Sequence, residues 1–361
     1  MKGERGMQRV LIKVAIGVVA MFAVTSGCAL FEDEKTAKGR KLYNHYCMHC
    51  HGENGQQAEG FNWERMPDPR PRDLSESSAM STFSDEEIFN TISRDMRDTS
   101  LQEVLDDENY FAVATMPTFK YTLSEEEIWT IVGYVRTLHG GSLEYDVEGR
   151  RAQLESAFNA AKAEHDQAKA VMEEALAKQE AEEAARAAAE EEAAGDEDED
   201  MDMEEEDEDI EEDEEEEEEI VLPEEEAYEK ALEKFELAKA AWENFSKRPK
   251  MAQIRRPDLT VSDDELVALE EEGKHLYFNK YGCNGCHSIG DVGGLVGPAL
   301  DRAGFRLNAT WVYRWIRYPQ GIKKHTRMPN LGLNDHDARA VTFYLETLRA
   351  PKPDKPIPPP E

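Results

Sequence analysis

The sequence predicts an all-α fold in which two similar helical units flank a helical, highly acidic insertion. Three observations predict it. A five-residue motif, Cys-x-x-Cys-His, occurs twice, at residues 47–51 and 283–287. Each copy follows a glycine and an aromatic residue, Gly39 and Tyr43 or Gly273 and Tyr277, and precedes a Met-Pro pair, Met116-Pro117 or Met328-Pro329. Between the units, Asp196 to Glu226 holds 24 acidic residues in 31 positions, with no lysine or arginine.

In chain order, Lys2, Arg5, Arg9 and Lys13 precede the apolar stretch Val14 to Val24 and the small residues Thr25, Ser26 and Gly27. That is the build of a secretory signal over residues 1–27. The apolar run is short for a spanning helix, although a start at Val10 with Lys13 snorkelling would lengthen it into an uncleaved anchor. Ser26-Gly27-Cys28 resembles the lipobox of bacterial lipoproteins, with Thr25 where that family usually has leucine. The resemblance implies lipidation of Cys28, with residues 28–33 as a tether.

Unit one is expected over residues 34–145 and unit two over 251–350, followed by a Pro-rich tail, 351–361. The closing helices are predicted at Glu125 to Leu138 and Asp335 to Leu348. Ser124-x-x-Glu127 has capping-box form, and Asn334 can cap a first turn rich in Asp335 and Asp337. Ile128, Ile131, Val132 and Val135 recur at helical spacing and predict a buried stripe. Gly39 and Gly273 would let an opening and a closing helix approach closely, with the aromatic residue four positions on filling the flank.

The insertion divides into a helix over 146–195, the acidic run 196–226 and a helix over 227–250. The run cannot bury a core, so it is expected to be solvated and disordered. It carries most of the excess charge, since the rest of the chain accounts for only 12 of the 36 net negative charges. Leu154, Phe158, Ala161, His165, Ala168 and Met172 on one side, and Tyr228, Ala231, Phe235, Ala238, Trp242 and Phe245 on the other, repeat at heptad-like spacing. An antiparallel coiled-coil hairpin is expected, acting as spacer, stalk or docking arm.

Cys-x-x-Cys-His is the pattern by which haem is joined covalently to a chain. Two cysteines three positions apart reach both vinyl groups of one porphyrin, and the next histidine reaches the iron. Cys47, Cys50 and His51, and Cys283, Cys286 and His287, are thus the candidate haem residues, with both histidines as metal ligands. A thioredoxin-like pair or half a zinc site is the plainer alternative for one motif. The repeat of the histidine, and the lack of another Cys-x-x-Cys pair, favour haem.

Together these features resemble the class I c-type cytochromes, over about residues 34–140 and 265–350. The resemblance implies two small helical domains, each wrapped around one covalently bound haem c and passing single electrons. It also assigns the sixth ligands: Met116, which follows His51 by 65 residues, and Met328, which follows His287 by 41. Met66, Met80 and Met96 compete in unit one, and His325 in unit two. Gly297-Pro298-Ala299-Leu300 resembles the family segment whose proline carbonyl orients the proximal imidazole. Unit one has Pro71-Arg72-Asp73-Leu74 there. Arg302, Arg306, Arg314 and Arg327 are candidates to neutralise haem propionates, and His49, inside its motif's variable pair, is expected at the surface.

No Gly-rich phosphate loop, H-E-x-x-H motif or basic patch for nucleic acid is present. The expectation is therefore an electron-transfer protein on the periplasmic side of a bacterial membrane, held there by an N-terminal lipid or anchor. Its partners would be a quinol-oxidising complex, a terminal oxidase or a soluble cytochrome, and an acidic surface would favour basic ones. The alternatives are a haem subunit of a larger quinol-oxidising or oxidase complex and a dihaem peroxidase.

Overall fold

The computed structural model describes residues 33–56, 59–60, 66, 70–97, 99–106, 116–194, 222–250 and 256–351. The signal-like segment, Cys28, Gly195, residues 196–221 of the acidic run and the tail beyond 351 lie outside the described residues. Among the described residues no strand forms, apart from an isolated bridge between Ile289 and Val292, so the fold is all-α. No described helix is long and apolar enough to cross a membrane. The chain divides into two units, one formed by everything up to Val147 and everything from Ser246, the other by Glu148–Phe245.

In the first half of the larger unit, α1 (Glu34–Tyr46) starts at Asp33, whose carboxylate accepts from the Lys35 and Thr36 amides. The short α2 (Asp85–Ile92) and the closing α3 (Glu125–Leu138) both begin with complete capping boxes, Ser84 with Glu87 and Ser124 with Glu127. Ile128, Ile131, Val132 and Val135 are all buried, as their spacing predicts. The core extends past that stripe. Trp129 stacks between Phe89 and Tyr145, at 4.4 and 3.8 Å between ring centres, and Arg136 is buried on Asp85 at 2.6 Å.

Helix α1 crosses α3 at Gly39, where an added Cβ would lie 2.6 Å from the Thr130 carbonyl oxygen and 2.8 Å from Tyr134 Cβ. Only glycine fits that crossing. The Tyr43 and Tyr134 rings fill the flank at 5.2 Å.

The 148–245 unit pairs α4 (Val147–Ala194) with α5 (Pro223–Ser246) in antiparallel sense. Phe158 meets Phe235 at 5.8 Å, His165 stacks on Phe235 at 5.0 Å and faces Tyr228 at 5.5 Å. Beyond that contact α4 continues as a solvated helix with i,i+4 ion pairs, including Lys178 to Glu182 and Arg186 to Glu190. The expected start at 227 is corrected to Pro223, so the last acidic residues of the run are helical. Proline at the first position presets φ, and Glu224, Glu225 and Glu226 face the positive end of the helix.

In the second half of the larger unit, α6 (Asp263–His275) and the closing α8 (Asp335–Thr347) repeat the same crossing. An added Cβ on Gly273 would lie 2.0 Å from the Ala340 oxygen, and Tyr277 meets Tyr344 at 5.7 Å. Between them α7 (Ala309–Arg317) is capped by Asn308. The glycine stands eight residues before the first motif cysteine in one half and ten in the other. A π-helical turn, Leu276–Lys280, and Gly282 at φ 57° take up the difference. The π turn absorbs a residue without interrupting the helix, and only the left-handed glycine lets the chain turn back toward Cys283.

The two halves pack against each other through the segments that follow their Met-Pro pairs and through Met96 and Arg97 of the first half. Thr122 Oγ1 accepts from the Asn330 amide at 2.8 Å, Arg97 Nε donates to the Gly332 carbonyl at 3.1 Å, and the Tyr121 ring lies against Gly332. Met96, from the first half, is 2% exposed inside the hydrophobic cluster of the second.

Candidate haem-binding sites

The second motif opens on a cavity of about 640 Å³. Cys283, Cys286 and His287 line one part of its wall and Met328 another, with Leu300, Val312, Ile316, Val341 and Leu345 as the apolar lining. His287 is held from behind. Its Nδ1 hydrogen-bonds the Pro298 carbonyl at 2.8 Å, which fixes that nitrogen as the donor and leaves Nε2 with its lone pair for a metal. Burial lowers the pKa of this imidazole, keeping it in the neutral form that ligates. Gly297 completes the cradle, because a Cβ there would lie 2.3 Å from His287 Cε1.

The first motif has the same support by a different residue. His51 Nδ1 hydrogen-bonds the Arg72 carbonyl at 3.0 Å, and burial again lowers the pKa. Arg72 therefore does what the proline carbonyl does in the other half, through a backbone atom that any residue supplies. Tyr43 donates from its hydroxyl to the Gly52 carbonyl at 2.8 Å, and Tyr277 donates to the His287 carbonyl at 3.2 Å. These matching bonds tie each opening helix to the end of its motif.

Three of the four thiols are raised, unlike the lowered thiol of a redox dithiol, while Cys286 is lowered by its interaction with Cys50. Burial pushes Cys47 and Cys283 up to about 12. Cys50 is raised as well, first by a hydrogen bond with Cys286 and then by burial. The second cysteine of one motif therefore lies near the second cysteine of the other. The two attachment points thus meet across the junction between the halves.

Of the candidate sixth ligands, Met328 shares a cavity with its histidine, and its sulfur accepts from Trp315 Nε1 at 2.9 Å. His325 lines the same cavity. Met116 is half-buried with its carbonyl held by Arg94 at 3.1 Å. Met96 takes Arg94 Nε on its sulfur at 3.0 Å within the other half's core, Met66 lies against Gly294, and Met80 is buried with its carbonyl on Arg136.

Sequence reasoning missed two residues of the first half that line the second cavity. His45 and Pro117 reach into it, and His45 hydrogen-bonds the Thr326 backbone, two residues before Met328. No local pattern marks either, because the contact exists only once the halves dock. The surface expectation for His49 is corrected too: its Nε2 is buried and has no hydrogen-bond partner among the described residues. The residue as a whole is half-buried, with Arg327 and His45 near enough to affect its charge. A second cleft, about 710 Å³ and bounded by Ser77, Arg136 and Tyr145, contains none of the motif residues.

A largely apolar cavity, two cysteines on its wall and a neutral, pre-oriented histidine fit a covalently held haem. Comparison with known families gives the same class of protein. Residues 34–135 match the family described as cytochrome C oxidase, cbb3-type, subunit III, and residues 270–349 match the cytochrome c family. The chain belongs to the c-type cytochromes, with two cytochrome c domains and two covalently bound haems. It is an electron-transfer haem protein. No curated protein and no solved structure matches it.

Proposed function

We propose that this protein is a membrane-tethered dihaem electron carrier on the periplasmic side of a bacterial membrane, passing single electrons between respiratory partners. The haems are attached at Cys47 and Cys50 and at Cys283 and Cys286. His51 and Met116 ligate one iron, and His287 and Met328 the other. The observation that carries the reading is the second cavity, where a neutral imidazole and a methionine sulfur occupy one apolar enclosure. When bound, haem supplies reversible one-electron chemistry, and a methionine ligand raises its potential and closes the site to substrates.

The chain's residues do the rest. Pro298 and Arg72 carbonyls orient the histidines, and Leu300, Val312 and Ile316 exclude water. Export and lipidation at Cys28 account for the basic, apolar and small-residue order of the N-terminus. A quinol-oxidising complex, a terminal oxidase or a soluble cytochrome would serve as donor or acceptor. A second reading, a haem subunit within an oxidase or quinol-oxidising complex, is favoured by the description of the family that residues 34–135 match.

Redox-titrated absorption of the loaded chain tests the ligand assignment. Two low-spin six-coordinate haems are expected, with Met116→Ala and Met328→Ala each converting one to high spin and lowering its potential. If neither substitution disturbs the low-spin spectrum, the methionine assignment fails; turnover of peroxide by the unsubstituted protein would instead favour a peroxidase.

A further inference from the structure

The loop that carries Met328 is fastened on both sides of that residue by the first half of the chain. Ahead of it, His45 hydrogen-bonds the Thr326 backbone and shares the cavity wall with Thr326 and Met328. After it, the Asn330 amide donates to Thr122 Oγ1 at 2.8 Å, and Arg97 Nε donates to the Gly332 carbonyl at 3.1 Å. Thr122 and Asn330 are 3 and 2% exposed, which shields their bond from water. The Tyr121 ring rests on Gly332, at φ 73°, where a Cβ would lie 2.1 Å from the ring, and the Arg97 guanidinium covers that ring at 4.2 Å. Pro117, next to Met116, reaches the same cavity, so the segments holding the two candidate sixth ligands meet.

A thioether is an uncharged ligand, and its hold on iron depends on how well its loop is ordered. A mobile loop loses conformational entropy each time the sulfur binds, whereas a loop already fixed does not. We infer that the first domain positions the sixth ligand of the second haem, with Thr122, Arg97 and His45 as positioning residues that act through the loop from Thr326 to Gly332. This rests on the reading of Met328 as that ligand. The second haem site is then incomplete without the first domain, although the insertion separates the two in sequence.

Imidazole competition in the oxidised, haem-loaded full chain tests this. The weak far-red absorption of methionine-ligated ferric haem reports the bond, and a Met116→Ala background leaves the signal of Met328 alone. In that background Thr122→Val, which replaces the hydroxyl by a methyl, should let imidazole displace Met328 at an about fivefold lower concentration, the effect of one buried hydrogen bond. The potential of the second haem should fall with it, because methionine favours the reduced iron. Thr122→Ser keeps the hydroxyl and should restore both values. His45→Ala should act in the same direction as Thr122→Val, and His45→Gln, which keeps a hydrogen-bonding group there, should act less.

Unchanged imidazole affinity in Thr122→Val would overturn the inference. Should that variant fail to load haem, unchanged affinity in both His45→Ala and Arg97→Gln would do so in its place. An equal loss in Thr122→Val and Thr122→Ser would also overturn it, since the hydroxyl would then not be what holds the loop. A far-red band that survives Met328→Ala in the same background would count instead against the ligand reading itself.

Discussion

Gly273 and Gly133 should answer the same substitution in opposite ways. At Gly273 an added methyl meets a backbone oxygen that cannot swing aside, so Gly273→Ala is expected to cost about 1–3 kcal/mol as the helices are forced apart. At Gly133, within α3, nothing lies closer than 3.4 Å, and Gly133→Ala should gain up to about 1 kcal/mol of helix propensity. Thermal melts of the two variants check both signs. Lys280 is a second sensitive position: its ammonium lies 2.6 Å from Asp337, which also accepts from Tyr281 at 2.5 Å, and both members of the ion pair are buried. Lys280→Met strands the carboxylate and should destabilise by about 3–5 kcal/mol in denaturant titration, with Lys280→Met/Asp337→Asn recovering part of the loss.

Among the elements, the loop pair at the domain junction has a built-in acid sensitivity. Burial pushes the Asp95 carboxyl up, but hydrogen bonds from Lys120, Tyr121 and the Arg97 amide outweigh it and hold the pKa at about 2 against an ordinary 3.8. A carboxylate lowered on folding contributes stability above its unfolded pKa and loses it as pH falls through the folded one. The contribution is therefore present above about pH 4 and gone by about pH 2. Asp95→Asn should flatten this part of the stability profile, which melts of the two proteins across that window would reveal. Much of each element was legible in sequence. Ser124 and Asn334 mark helix starts through capping chemistry that operates within a few residues, and Gly39 and Gly273 mark crossings because a helix flank repeats every turn. The π turn was legible only as a two-residue difference in spacing, because its form shows once Leu276 and Tyr277 pack into a core built by distant residues.

For the whole molecule, the motifs and the acidic run stand out because composition and spacing alone define them. What the sequence concealed is that the two haem domains, separated by more than a hundred residues of insertion, form one compact unit. His45 at the second cavity, the Thr122 to Asn330 bond and the Cys50 to Cys286 contact are long-range, and neither local periodicity nor propensity encodes them. The central claim is that the chain carries two haems at its two Cys-x-x-Cys-His motifs. Mass spectrometry of full-length protein matured in a host competent for haem attachment tests it most directly. The intact mass should exceed that of the polypeptide by two haems, and digestion should place one on the peptide holding Cys47 and Cys50 and one on the peptide holding Cys283 and Cys286. A gain of one haem, or of none, would contradict the account.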